Sequence, residues 1–185
     1  MALFSAQGTL GVMPEGQSLE VGQLDLVLTD LKLSMGLTIN AVTLTGNGVT
    51  VRSDPVSVLT PVPGTLEALI LDPNLADFLD RQAPGGLKNF QVDLRDGKIF
   101  VQANVMIMKV SAVCTLRIQD GRQLFVDLES VDVLGIGAKN MVQSHLDKIN
   151  PVLDVAELPF EVELTDYEIE DGKLVLRGNV SAKAT

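Results

Sequence analysis

The chain has 185 residues, 46% of them hydrophobic, and a formal net charge of −10 from 24 acids against 14 bases. That length fits a single domain able to bury a sizeable core, and the acidic balance excludes a nucleic-acid partner, which needs a basic surface to displace counterions. No apolar run exceeds four residues, as in Ala68-Leu69-Ile70-Leu71, so no segment reads as a membrane-spanning helix of ~20 apolar residues.

The apolar mass is aliphatic: six Phe, one Tyr and no Trp accompany a mean hydropathy of +0.28. In chain order, Leu19 and Val21, then Leu24, Leu26 and Leu28, alternate with their neighbours as on a strand. Leu31, Leu33 and Met35 resume on the other parity, which predicts a bulge or bend near Thr29-Asp30. Asn47-Gly48 stands between Val42/Leu44 and Val49/Val51 and predicts a hairpin turn. Pro55, Pro61 and Pro63 mark an edge or a connection. Asp72-Pro73-Asn74 predicts a helix start, with Asp72 as cap and Pro73 in the first turn. Leu75, Phe78, Leu79 and Gln82 then share one face, and Pro84-Gly85-Gly86 ends the helix.

Three further turn signals separate alternating runs. Asp96-Gly97 divides Phe90/Val92/Leu94 from Ile99/Val101/Ala103. Asp120-Gly121 divides Leu116/Ile118 from Leu124/Val126/Leu128, and Asp171-Gly172 divides Tyr167/Ile169 from Leu174/Leu176. Each predicts an antiparallel hairpin. A second helix is predicted from Ala138, Met141, Val142, His145, Leu146 and Ile149 on one face, stopped by Asn150-Pro151. The sum is an α+β fold: a long curved antiparallel sheet of about 9–11 strands with two amphipathic helices, in one domain over residues 1–185.

Some strands are apolar on both faces. Met106 and Met108 take the parity opposite Val105 and Ile107, and Val110-Ser111-Ala112-Val113-Cys114 behaves similarly. A sheet with one wet face alternates more cleanly, so a second face is covered by a helix, a sheet or a ligand. Chemistry is sparse. Gly135-Ile136-Gly137 lacks the Lys-Ser/Thr end of a phosphate loop. His145 is the one candidate general base, but Ser144 and Asp147 do not share its helix face. Glu161 and Glu163 alternate with Phe160, Val162 and Leu164, which marks an outward, solvated edge. Cys114 reads as a buried inert thiol, and one His with one Cys leaves no zinc ligand set. No catalytic residue, metal or cofactor is assigned. The start Met1-Ala2-Leu3-Phe4-Ser5 has no basic n-region, and reads as a cytoplasmic chain or one lacking its leader.

Certain phrases carry a resemblance. Leu75-Ala76-Asp77-Phe78-Leu79 precedes Leu87-Lys88-Asn89-Phe90-Gln91-Val92-Asp93-Leu94 and Asp96-Gly97-Lys98. The second helix runs into Asn150-Pro151-Val152-Leu153-Asp154. The ending runs from Leu158-Pro159-Phe160-Glu161-Val162 to Asp171-Gly172-Lys173-Leu174-Val175-Leu176-Arg177-Gly178. In these the chain resembles the LmeA-like family of bacterial phospholipid-binding proteins, most clearly from Gly64 to Val180 and more weakly from Leu19. The resemblance implies a fold similar to the tubular lipid-binding (TULIP) domains, in which a curved antiparallel sheet wraps a helix and leaves an apolar groove. It also implies export or membrane tethering, against the leaderless start. The expected function is non-enzymatic binding of phospholipid or another acyl-chain lipid, with peripheral membrane contact. Leu75, Phe78, Leu79, Met106, Met108, Met141, Leu146 and Ile149 are expected to line the groove. The alternative is a structural protein that forms a homodimer through the two-faced sheet; a third reading is a hydrolase using His145 or the Glu161/Glu163 pair.

Overall fold

The structure is a computed structural model that describes residues 2–6, 18–53, 56–59, 63–83, 87–105, 108–132, 138–158 and 161–181. Their strands form two antiparallel sheets. The first contains β1 (Ala2–Ala6), β2 (Ser18–Lys32), β3 (Thr38–Ser53), β4 (Val56–Leu59), β5 (Gly64–Leu71), β11 (Glu161–Glu170) and β12 (Lys173–Ser181). Its order is β1-β2-β3-β5-β12-β11, with β4 paired to β3 off this path. The second sheet runs β10-β9-β8-β7-β6, from β6 (Leu87–Arg95), β7 (Lys98–Val105), β8 (Met108–Gln119), β9 (Gln123–Asp132) and the two-residue β10 (Leu153–Asp154). It is strongly curled, as a half-barrel. Helix α1 (Asp72–Gln82) leads into this sheet, and α2 (Ala138–Ile149) follows β9. The α+β antiparallel expectation holds, with the strands divided between two sheets.

Alternation and turn chemistry account for the hairpins. Asp96 and Gly97 take φ of 52° and 72°, and Asp120 and Gly121 take 52° and 64°. Two successive positive φ values match the right-handed twist of the flanking strands. Gly172 closes β11–β12 with φ of 78°.

Asn47-Gly48 departs from its expectation. It is no turn: β3 runs straight through it, with Asn47 paired to Gln23 and Val49 to Val21. The 15-residue β2 offers partners along the whole length of β3, and Gly48 takes its φ of 64° inside the strand. The parity change near Thr29-Asp30 is real but is not an inserted residue. The register keeps step from Ser18/Arg52 to Lys32/Thr38 while Asp30 adopts φ of 54°. Leu28 and Leu31 therefore both pack against the core. Of the prolines, Pro55 and Pro61 lie outside the described residues.

At the start of α1, Asp72 is the first helical residue, not the cap. Leu71 holds the cap position without a side-chain bond. The Asp72 carboxylate instead accepts from Leu94 N–H of β6 at 3.2 Å. Its partners are distant in sequence, which is why local capping rules miss them. Asn40 of β3 accepts from Leu71 N–H at 2.9 Å and from Asn74 Nδ2 at 3.0 Å, so α1 is pinned to the first sheet as it begins.

The C-terminal end of α2 is pinned to the second sheet. Asn150 accepts from Val126 N–H at 2.9 Å and donates from Nδ2 to the Val126 carbonyl at 2.8 Å. An amide side chain thereby stands in for a neighbouring strand at the edge of β9. Beyond it, Val152 N–H donates to the Leu124 carbonyl and Val155 N–H to the Arg122 carbonyl, at 2.9 and 3.0 Å. The two sheets are joined by turn residues: Leu164 N–H donates to Gly121 at 2.6 Å, and Gly172 N–H to Leu94 at 2.8 Å. Tyr167 adds a hydroxyl bond to the Leu116 carbonyl at 2.8 Å. Leu94, Leu116, Leu124, Leu164, Leu174 and Leu176 belong to one continuous core between the sheets.

Candidate functional site

The curl of the second sheet gives it a concave face. Val92 of β6, Ile99, Val101 and Ala103 of β7, Val110, Ala112, Cys114 and Leu116 of β8, and Leu124 and Val126 of β9 line that face. Along β7 and β8 these are alternate residues, uninterrupted by charge, as the period of two requires. Leu75, Phe78 and Leu79 come from α1, and Val142, His145, Leu146 and Ile149 from α2. Leu37, Ile70 and Leu174 bring in the first sheet and its β2–β3 connection. Together they surround a narrow cavity of about 80 Å³. One water needs ~10–15 Å³ by the same measure, so the space holds about five to eight water-sized positions. Side chains fill most of the interior and leave a slot.

The opposite face of the sheet explains why these strands look apolar on both sides. Arg95 lies over the Phe100 ring at 4.5 Å and Arg117 over the Phe125 ring at 4.8 Å. Lys98 pairs with Glu129 at 2.7 Å and Arg117 with Asp127 at 2.9 Å. Exposed pairs of this kind add little stability, but with the guanidinium groups they cover the outer aromatic rings and keep that face polar.

Two lining side chains carry a titratable group. Burial pushes the Cys114 thiol up to about 11, with the Glu129 charge adding to it. Such a thiol is inert. His145 is 6% exposed, and its Nε2 has no hydrogen-bond partner among the described residues. Burial first, and Lys148 second, lower its pKa from the usual 6.5, so the ring is neutral at pH 7. Nothing here resembles a catalytic pair: Ser144 and Asp147 are exposed on α2, and Asp147 accepts from Gln143 at 2.8 Å. Glu161 and Glu163 are exposed and flank a separate polar recess with Asp120 and Arg122. Among the described residues there is no cluster of three or more His, Cys, Asp or Glu suited to a metal ion.

Of the residues expected to form a groove, Leu75, Phe78, Leu79, Leu146 and Ile149 meet at the cavity. Phe78, 1% exposed, is its most buried helical member. Met141 does not join them. It is 37% exposed, because the face of α2 that reaches the sheet is narrower than its apolar stripe and centres on Val142, His145 and Ile149. Met106 lies outside the described residues, and Met108 is placed by its backbone alone, paired with Val105. Met106 and Met108 are the only sheet residues in the expected lining, and the described sheet lining is absent from it; its signal is the unbroken inner parity of Ile99/Val101/Ala103 and Val110/Ala112/Cys114/Leu116.

Among the described residues no helix is long and apolar enough to cross a membrane. No curated protein and no solved structure matches the chain significantly. The sequence profile described as LmeA-like phospholipid-binding matches residues 11–179, a span that takes in both helices, the curled sheet and every lining residue of the cavity. The chain belongs to the LmeA-like phospholipid-binding family.

Proposed function

We propose that the protein binds phospholipid non-enzymatically, taking an acyl segment into the slot between the curled sheet and the two helices. The supporting observation is the cavity itself: walls from both helices and both sheets, apolar among the described residues except for Cys114 and His145. Each buried methylene contributes about 0.8 kcal/mol, so an acyl segment of about six carbons, matched to those roughly five to eight water-sized positions, gains roughly 5 kcal/mol before the cost of association. At about 80 Å³ the slot suits one chain segment, and a second chain requires α1 or α2 to move off the sheet. Loading takes place by peripheral contact with a bilayer, the source of the lipid.

The test uses the full chain, freed of co-purifying lipid, and a fluorescent phosphatidylcholine presented in vesicles. Saturable uptake is expected. Ala103→Leu and Ala112→Leu, which fill the slot from the sheet side, are expected to weaken uptake at least about tenfold. Their melting temperature should change little, since the added carbons occupy existing space. Wild-type protein that takes up no lipid, or filled variants that take it up unchanged, would overturn the proposal.

A further inference from the structure

His145 is the one polar feature of the slot that its surroundings leave unexplained. It is the only histidine of the chain, it lines the cavity, and its Nε2 is buried without a partner. Buried polar atoms in native proteins nearly always have one. A resident water is a poor answer. Such a water needs two to four polar partners, and beyond His145 the lining side chains among the described residues offer only the Cys114 thiol, a weak donor and acceptor. An aliphatic residue at this place would pack the slot without the penalty of an unsatisfied nitrogen. A polar ligand atom brought in with the apolar cargo accounts for the nitrogen.

Which atom follows from the chemistry. A phosphate in this slot would lose its hydration among aliphatic carbons with no cation to replace it. The ester carbonyl of an acyl chain is neutral, sits next to the hydrocarbon, and accepts one hydrogen bond. We infer that His145 Nε2–H donates to the acyl-ester carbonyl of the bound phospholipid and so fixes how deeply the chain enters. The inference rests on the acyl-slot reading above. The position on α2 agrees with it. His145 lies five residues before Asn150, about 7.5 Å along the helix from the point where Asn150 grips Val126. The chain beyond the carbonyl then has Leu116 and Leu124 to pack against, and the head group stays on the other side of the imidazole.

The experiment compares two probes with equal chains and the same choline head group: a diester phosphatidylcholine and its diether counterpart, which lacks the carbonyls. Both are offered in vesicles to wild-type protein and to His145→Leu. The diester is expected to bind about tenfold more tightly to wild type, a free-energy difference typical of one buried hydrogen bond, and this preference should vanish in the variant. In parallel, the ¹⁵N signals of the single imidazole are read on the unmodified chain, so the outcome does not depend on the variant folding. The diester should move the Nε2 resonance and hold it in the protonated tautomer; the diether should not. Equal binding of the two lipids by wild type, with an unmoved Nε2, overturns the role of His145 and leaves the slot reading standing. Failure of both lipids to bind overturns both.

Discussion

Replacing Asn150 by alanine isolates the clamp between α2 and the curled sheet. The side chain makes two hydrogen bonds to one residue, at 2.9 Å to Val126 N–H and 2.8 Å to its carbonyl. Each contributes about 1 kcal/mol net, and the two backbone groups left behind on a half-buried strand edge add part of their desolvation penalty. The expected loss is about 2–3 kcal/mol. At ~2–4 °C per kcal/mol for a domain of this size, the melting temperature falls by about 4–12 °C. Asn150→Asp keeps an acceptor for Val126 N–H but sets a carboxylate oxygen against the Val126 carbonyl, so it should be no better than alanine. Urea denaturation followed by circular dichroism measures both. Hydrogen exchange locates the effect, because the Val126 amide should lose protection before those of β7 and β8. A loss below about 0.5 kcal/mol, or unchanged exchange at Val126, would show that apolar packing alone seats α2 and that the clamp contributes nothing.

Other outcomes follow from the same structure. Gly121→Ala forces a Cβ to within 2.8 Å of the Glu163 side chain at a φ of 64°; about 1–3 kcal/mol of destabilisation is expected, measured by the same denaturation. Cys114, with its thiol near 11, is roughly one part in a thousand thiolate at pH 8, so a thiol reagent should label it only at the rate of unfolding; prompt labelling of the native protein would contradict its burial. His145 has a lowered pKa, so the unfolded chain binds its proton more readily. Its contribution to stability is whole above the unfolded pKa of about 6.5 and is lost as pH falls from there through the folded value. Urea midpoints from pH 8 to pH 5 should decline across that window in the wild type, and less steeply in His145→Leu.

Much of this architecture is legible locally. The alternating runs and the turns at Asp96-Gly97, Asp120-Gly121 and Asp171-Gly172 give their hairpins, because a period of two and a left-handed turn position depend on neighbours in sequence. Both helices stand where their apolar spacing predicts, and α2 ends at Ile149, just before Asn150-Pro151. What escapes is long-range. Asn47-Gly48 carries the same local signal as the true turns, yet the partner strand β2 extends past it and keeps β3 straight. The division into two sheets depends on which hairpin pairs with which, and no local pattern encodes that. Asn40 and Asn150 look like ordinary polar residues until the fold sets Leu71 and Val126 against them. The helix side of the cavity is readable from amphipathic spacing. Its sheet side depends on the curl, which sets the inner parity of β7 and β8 around the cavity. Met141 marks the limit of helical periodicity: an apolar stripe states which residues prefer cover, not how far the cover extends.

The described hydrogen bonds between strands and turns of the two sheets fall around Leu94, Leu116 and Gly121, at the end of the curled sheet where its β6–β7 and β8–β9 turns lie, and the β2–β3 connection adds the Ser34 hydroxyl to Glu157 at 2.7 Å. The two sheets are therefore stitched at that end. From Leu116 up to Val110, cavity residues of a single strand, the lining extends about 20 Å, away from those stitches. On the acyl-slot proposal, expansion to admit a guest is expected at the far end, where no inter-sheet hydrogen bond is found among the described residues. On that proposal, the bonds at the stitched end form a floor that would stop a chain too long for the slot, whatever head group it carries.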